Sequence, residues 1–416
     1  MLIHFIGIGG IGVSGLANIY LQKDRQVQGS DETASEITEQ LQNNGAKVFI
    51  GHKAENITSA VDLVVYSEAV PEDNTELKQA QTLNIKCLSG AKALAEFAKD
   101  YFLITISGMH GKTTTSCMIG KVLVDAGLDP TYIIGTKNGW RVGKSKYLVI
   151  EADDYKAKLL SYCPDILVLT NIEEEHMDYF KDLEHILEVF TKYSNQVKKL
   201  IIANTNDENI KKVLNNATAQ IKFYNQRNIK LLVPGEHNQL NASATLEVAR
   251  ALEIDDKVAL KALSDYRGTW RRFEEKKLII NNHKVSIISD YAHHPTELRT
   301  TFQSLKEKYA GKKIWVVFQP HQKQRTYYLF DAFVKALKGG DFEKVILTDI
   351  YDVKGRENKN IDVSASSLAQ KADVDYIKKD ELEDYLRKNI PSIDVLAIVG
   401  AGDIYKLVSE LSTPCD

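Results

Sequence analysis

An α/β protein of three domains is the fold this sequence predicts, and three observations predict it. Short β-rich apolar runs alternate with amphipathic stretches through most of the chain, the pattern of parallel sheets covered by helices. Two glycine-rich turns each follow an apolar run and open a helical stretch. At 416 residues the chain is also too long for one ordinary core.

The first apolar run, residues 2–6, passes through Gly7-Ile8-Gly9-Gly10-Ile11-Gly12 into a helix near 14–22. Strands are expected next at 27–30, 47–50 and 63–66, and the first domain closes at residue 100. The second domain, 101–276, opens with a strand at 101–106, a glycine turn and a helix at 114–126. Further strands are expected at 147–151, 166–170 and 199–203, before Arg271-Arg272-Phe273-Glu274 ends the domain. The third domain, 277–416, carries strands at 284–289, 313–318, 344–348 and 394–399.

Composition excludes several classes. Charged residues make up 26% and the formal net charge is −3, which argues against a broad nucleic-acid-binding surface. Cys87, Cys117, Cys163 and Cys415 lack CxxC spacing, which fits a reducing compartment and neither a zinc site nor a disulfide framework. No apolar run reaches the ~20 residues needed to span a bilayer. The first residues lead straight into a strand without a basic leader or cleavage site, so a soluble cytoplasmic protein is expected.

The second glycine turn, Ser107-Gly108-Met109-His110-Gly111-Lys112-Thr113-Thr114, is the most informative stretch. Glycines let backbone N–H groups approach phosphate oxygens, Lys112 adds a positive charge, and the Thr113 hydroxyl suits Mg²⁺. The generic phosphate-loop pattern asks for a glycine where Ile106 stands, so a plain Gly-Lys-Thr turn at a helix start is the competing reading. The first turn, Gly7 to Gly12, has the setting of a pyrophosphate site, with Asp31 as the acid expected on a ribose; a simple strand–helix turn is its alternative. Two such loops suggest two phosphorylated ligands.

Glu151-Ala152-Asp153-Asp154-Tyr155 and Thr170-Asn171-Ile172-Glu173-Glu174-Glu175-His176-Met177-Asp178 end two strands on the edge that the phosphate loop shares. Hard Mg²⁺ prefers oxygen, so Glu151 is the metal-ligand candidate, with His176 beside it at a second site. A solvated acidic loop is the other reading, and Glu173, Glu174 and Glu175 receive no individual role. Asn238 and Asn241, in Pro234-Gly235-Glu236-His237-Asn238-Gln239-Leu240-Asn241, either read an adenine edge or cap a helix. Arg271 and Arg272 suit phosphate. Asp290-Tyr291-Ala292-His293-His294 and His321-Gln322-Lys323-Gln324-Arg325 end third-domain strands and either close over a substrate or form surface clusters. No third ligand at finger or protease spacing supports zinc there. Gly400-Ala401-Gly402-Asp403 is one more turn open to backbone approach.

In this order the motifs resemble those of the Mur ligases, ATP-dependent amide-forming enzymes of peptidoglycan precursor synthesis. The resemblance spans nearly the whole chain: FIGIGGIGVSGLA, GMHGKTTT, EADDY, TNIEEEHMDY, PGEHNQLNA, WRRFE, DYAHHPTE, FQPHQKQRT and GAGDI. It implies an N-terminal Rossmann-like UDP-substrate domain, a central P-loop ATPase and a C-terminal Rossmann-like domain. It implies that Gly9, Gly10, Ile11, Gly12, Ser14, Asp31, Ser67, Ala69 and Val70 hold a UDP-sugar. Gly108, Met109, His110, Gly111, Lys112, Thr113 and Thr114 would take ATP phosphates, with metal on Thr113, Glu151 and His176. Asn171, His237, Asn238 and Asn241 would face the adenosine end, while Arg272, Asp290 and His293 complete the cleft. Tyr291, His293, His321 and Arg325 would surround an amino acid.

The implied reaction joins L-alanine to the lactyl carboxylate of UDP-N-acetylmuramic acid through an acyl phosphate, giving ADP and phosphate. The catalytic set would be Lys112, Glu151, His176, Arg272 and His293, the cofactors ATP and Mg²⁺, and the enzyme a monomer or weak homodimer. Three residues depart from the family pattern: Met109 for a threonine, Lys156 for an acid and Gln322 for an arginine. Competing readings are a ligase that joins a preformed peptide to the same UDP-sugar, a nicotinamide dehydrogenase built on the first glycine turn, and a non-catalytic UDP-sugar binder.

Overall fold

A computed structural model describes residues 1–177, 179–280, 283–352 and 361–412. Asp178 of the acidic motif and Cys415 lie outside the described residues. The chain divides into two compact units.

The first unit comprises Met1–Glu173, Asp182–Ile229 and Asn241–Leu263, and contains two sheets. Strands β1 (Leu2–Ile6), β2 (Gln26–Asp31), β3 (Lys47–Ile50), β4 (Leu63–Tyr66) and β5 (Lys86–Ser89) form a parallel sheet in the order β3-β2-β1-β4-β5. β1 is central, which is why Ile3, Phe5 and Ile6 are fully buried. Strand order reverses at β1, so the crevice beyond its carboxyl end is a ligand position, and the first glycine turn lies there.

The second sheet is built from β6 (Phe102–Ser107), β7 (Thr131–Ile133), β8 (Trp140–Arg141), β9 (Tyr147–Glu151), β10 (Ile166–Leu169), β11 (Leu200–Asn204) and β12 (Gln220–Tyr224). Its order is β12-β11-β10-β6-β9-β7-β8, with β7–β8 as its antiparallel pair. β6 lies between β10 and β9 and runs parallel to both. The turn after β6 is therefore flanked by the carboxyl ends that carry Glu151 and Thr170.

The second unit comprises Glu174–Lys181, Lys230–Leu240 and Ser264–Asp416. Its sheet joins β13 (Glu274–Ile280), β14 (His283–Asp290), β15 (Ile314–Phe318), β16 (Lys344–Leu347), β17 (Asp375–Tyr376) and β18 (Val395–Val399) in the order β13-β14-β18-β15-β16-β17. Successive strand residues face opposite sides, so Ile314, Val316 and Phe318 join one apolar cluster and Trp315 and Val317 the other. Both faces of β15 are covered, and full burial of each such side chain contributes ~1.5–3 kcal/mol.

The strands expected at 2–6, 47–50, 63–66 and 147–151 stand as expected. β5, β7, β8, β12, β13 and β17 went unread: each is a sheet edge or has five residues or fewer, and their sequences carry little apolar periodicity. Two helices begin earlier than their apolar patterns suggest, at Ile11 and at Lys112, because the glycine turns themselves supply the first helical residues. Among the described residues no helix is long and apolar enough to cross a membrane.

Candidate nucleotide and substrate sites

In the first glycine turn the backbone N–H groups of Gly7 and Ile8 donate to the Ser30 carbonyl at 2.8 and 2.9 Å. Gly9 N–H donates to Asp31 Oδ2 at 2.9 Å. Gly7 has φ +76°, and a Cβ there would lie 3.1 Å from the Ser67 side chain, so glycine is required. The turn Ser67–Val70, closed by Val70 N–H on the Ser67 carbonyl at 2.9 Å, brings Ser67, Ala69 and Val70 beside it. Gly10 caps the helix Ile11–Gln22 without a side-chain bond, Ser14 is buried in its first turn, and a Cβ on Gly12 would meet nothing within 4 Å. Asp31 thus shapes the loop by accepting from Gly9.

Beneath this turn sits a residue that sequence reasoning missed. Glu76 is fully buried and accepts from Ser30 Oγ at 2.5 Å and Asn56 Nδ2 at 2.6 Å. His52 Nδ1 lies 3.2 Å and His4 Nε2 3.6 Å from its Oε2. Burial opposes ionisation, but the bonds from His4, Ser30 and Asn56 pull the carboxyl down to about 2. An isolated Glu in a polar stretch gives no sequence signal of that environment.

The phosphate loop follows β6. Gly108 and Gly111 have φ +128° and +82°, and a Cβ on Gly111 would lie 2.6 Å from Asn241 Oδ1. Asn171 clamps the loop: its Oδ1 accepts from His110 N–H at 2.9 Å, its Nδ2 donates to the His110 carbonyl at 3.0 Å, and its carbonyl accepts from Met109 N–H at 3.1 Å. Asn171 and Asn241 therefore lie against the loop itself. Lys112 Nζ donates to the carbonyls of Gly108 (2.6 Å) and Met109 (3.1 Å) and to Asp154 Oδ1 (2.8 Å). Burial would discharge this lysine, but Asp154, Asp153 and Glu151 outweigh it and raise its pKa above the usual lysine range. Thr113 Oγ1 lies 3.1 and 3.0 Å from the two Glu151 oxygens, and Thr114 is buried behind it. Glu173, given no role from sequence, meets His110 Nε2 at 2.5 Å.

His176, His237, Asn238, Arg272, Asp290, Tyr291, His293, His321 and Arg325 belong to the second unit. Burial, then the Arg272 charge, holds His237 down at about 4, so its ring is neutral near pH 7. Asn238 Nδ2 donates to the Pro234 carbonyl at 2.6 Å. Asp290 accepts from Phe273 N–H (2.7 Å), Ala292 N–H (2.9 Å) and Thr301 Oγ1 (3.0 Å); burial pushes its carboxyl up, and Arg272 opposes that. Its local task is to tie residue 273 to the middle of the helix Pro295–Lys308 through Thr301. Arg272 lies over the Tyr291 ring at 5.0 Å and 3.7 Å from Glu297.

Arg271 is not available to phosphate. It is buried, packs on Trp270, Tyr291 and Tyr405, and donates to the Gly400 carbonyl and, at 3.1 Å, to the Gly402 carbonyl. The turn that sequence offered for backbone approach is thus filled by this side chain.

Glu175, given no individual role from sequence, is only 6% exposed. Its Oε1 accepts from Arg325 Nε at 3.0 Å and Nη2 at 2.8 Å. Burial works against ionisation, but Arg325, His176 and His294 hold the carboxyl well below its usual range. Three consecutive acids conceal which one turns inward. Gln322 is also buried, with φ +70°. His293, His321 and Tyr291 meet edge-on, with ring centroids 5.7 Å apart for the two histidines.

Comparison with known proteins fits this geometry. Residues 2–102 match the family model for the Mur ligase family, catalytic domain. Residues 106–230 match the Mur ligase middle domain, and residues 271–402 the glutamate ligase domain of Mur ligases. The chain belongs to the Mur ligase family. A UDP-N-acetylmuramate–L-alanine ligase from Clostridium tetani is 40% identical across 97% of this chain and 96% of its own length. One of the same name from Acetivibrio thermocellus is 39% identical, covering 97% and 94%. The crystal structure of a Mur ligase named UDP-N-acetylmuramate-alanine ligase, from Thermotoga maritima, superposes with a TM-score of 0.79 at 27% identity, covering 99% of this chain and 98% of that one. A murein peptide ligase from Psychrobacter arcticus shares the fold, with a TM-score of 0.77 at 21% identity over the full length of both chains.

Proposed function

We propose that this Mur ligase joins L-alanine to the lactyl carboxylate of UDP-N-acetylmuramic acid, with ATP converted to ADP and phosphate. Near-full-length similarity to ligases of that name supports the substrates. The geometric observation that carries the chemistry is the phosphate loop after β6, with charged Lys112 and the paired Thr113 and Glu151 at its end.

A carboxylate is a poor acylating agent because its leaving group would be oxide. Transfer of the ATP γ-phosphoryl group to the lactyl carboxylate gives an acyl phosphate. The alanine amine attacks its carbon, a C–N bond forms, and the C–O bond breaks with its electron pair leaving on phosphate. Lys112 and Arg272 offset repulsion between triphosphate and carboxylate and stabilise developing charge. His293 accepts the proton that the amine loses.

Residues 1–100 form the UDP-sugar domain on this reading, with Gly9, Gly10, Ile11, Gly12 and Ser14 at the pyrophosphate and Asp31, Ser67, Ala69 and Val70 around it. Residues 101–276 bind ATP through Gly108 to Thr114, with Asn171 and Asn241 bracing that loop on its nucleoside side and His237 and Asn238 toward the nucleoside. Residues 277–416 bring Tyr291, His293, His321 and Arg325 to the amino acid, with Asp290 on the ATP side of the cleft. Hard oxygen donors on Thr113 and Glu151, 3.0 Å apart, suit Mg²⁺, which would supply charge compensation to the phosphates; His176 would serve a second metal position.

A phosphate-release assay with ATP, UDP-N-acetylmuramic acid and a panel of L-alanine, glycine, L-serine and a tripeptide tests the proposal. Release should require both the UDP-sugar and an amino acid and be fastest with L-alanine. Release indifferent to either, or fastest with the peptide, overturns it.

A further inference from the structure

We propose that Glu175 and Arg325 are positioning residues that fix His321 as its Nε2–H tautomer, while Glu297 and the Tyr291 carbonyl fix His293 in the opposite sense. The inference rests on the ligase reading for its purpose but not for its geometry. The Arg325 guanidinium carries donors only. Its Nε and Nη2 are held on Glu175 Oε1 at 3.0 and 2.8 Å, which fixes the plane of the fork. Its Nη1 then lies 3.2 Å from His321 Nδ1 and 3.2 Å from the His321 carbonyl. A nitrogen that faces an N–H donor must offer a lone pair, so the His321 proton sits on Nε2. Stacking on Tyr351, at 5.6 Å and 9° between planes, holds the ring in the plane that keeps Nδ1 toward Nη1.

His293 is arranged in reverse. Its Nδ1 lies 3.0 Å from the Tyr291 carbonyl and 3.2 Å from Glu297 Oε2, and both are acceptors. The proton therefore sits on Nδ1 and the lone pair on Nε2. Glu297 is itself held, accepting from the backbone N–H groups of His293 and His294 at the start of its helix at 2.9 and 3.3 Å. Two imidazoles 5.7 Å apart thus carry opposite polarity: His293 an acceptor, His321 a donor. Amide formation from an acyl phosphate calls for that combination, an acceptor for the amine proton and a donor for negative charge on oxygen. Within the amino-acid set, Arg325 is engaged by Glu175 and His321 and so acts on the second imidazole.

The test is a long-range ¹H–¹⁵N correlation spectrum of the full chain labelled at its ten histidines, with His293 and His321 assigned by His→Asn variants. The wild type should show His321 protonated at Nε2 and His293 at Nδ1, without any substrate. Arg325→Met should convert His321 to a tautomer mixture and lower kcat with L-alanine by roughly 10–100-fold, the range for orienting partners of ligating histidines, with KM for ATP unchanged. Glu175→Gln keeps an acceptor oxygen and should retain the tautomer; Glu175→Leu should behave like Arg325→Met. An Nδ1–H signal for His321 in the wild type, or Arg325→Met with wild-type tautomer and turnover, overturns the proposal. Because the spectrum needs no turnover, a chain that fails the phosphate-release assay but shows these tautomers refutes only the ligase reading.

Discussion

Lys112→Met separates two roles of one side chain. Lys112 Nζ lies 2.8 Å from Asp154 Oδ1; the Asp154 side chain is fully buried and that of Lys112 only 13% exposed. Removing the lysine takes away the cation that lies 2.8 Å from a buried carboxylate, which costs ~3–5 kcal/mol of stability. It also removes a cation from the phosphates, and loss of one such stabilising donor lowers kcat by ~10²–10³-fold. Stability loss alone would mimic inactivity, so the informative protein is the double variant Lys112→Met with Asp154→Asn. With both charges gone the burial penalty is largely lifted, and stability should return to within ~1 kcal/mol of wild type. Urea unfolding reads the first quantity and phosphate release with saturating UDP-sugar and L-alanine reads the second. The expected pattern is restored folding with turnover still depressed at least a hundredfold. A double variant that regains turnover would show that Lys112 serves only to neutralise Asp154, and its place in phosphoryl transfer would be lost.

Glu76 should govern acid stability of the first sheet. Its folded pKa of about 2 lies below the ordinary 4.5, so its contribution is present above pH 4.5 and is lost as pH falls toward 2. That gap corresponds to ~3 kcal/mol, so Glu76→Gln should flatten the pH dependence of urea unfolding between those limits, and an unchanged slope contradicts the cluster's electrostatics. Gly111→Ala combines a left-handed φ of +82° with a Cβ 2.6 Å from Asn241 Oδ1. The backbone part alone costs ~1–2 kcal/mol, so ATP affinity by calorimetry should fall about tenfold or more; Asn241→Ala in the same chain should relieve the clash but not the backbone cost, and wild-type affinity in the single variant excludes this account.

The layers of the fold were legible because buried parallel strands read as apolar runs and glycine turns punctuate them. β1 and β9 show this, with central positions and residues buried on both faces. β17, two residues at a sheet edge, and β13, with Glu274, Glu275, Lys276 and Lys277 in succession, carry no such signal. Their strand state comes from pairing with a neighbour, which one sequence does not display. Site residues on strand ends were legible for the same reason: once β6, β9 and β10 are parallel neighbours, Lys112, Thr113, Glu151 and Asn171 must share one edge.

What the chain conceals is the work of charged residues on one another. Arg271 and Arg272 are adjacent and chemically identical, yet Arg271 is buried under three aromatic rings and only Arg272 keeps a partly exposed head. Glu173 and Glu175 straddle Glu174, which is exposed, and find His110 and Arg325. Each inward charge is tolerated because a specific partner meets it, since an unpaired buried ion costs several kcal/mol. Such partners stand far away in sequence: Glu175 and Arg325 are 150 residues apart. A motif therefore identifies which residue types gather at a strand end, while the long-range pairing decides which of them face substrate and which orient the others. Arg325 is the sharpest case, because its motif places the guanidinium around an amino acid while its bonds show it held on Glu175 beside His321 Nδ1.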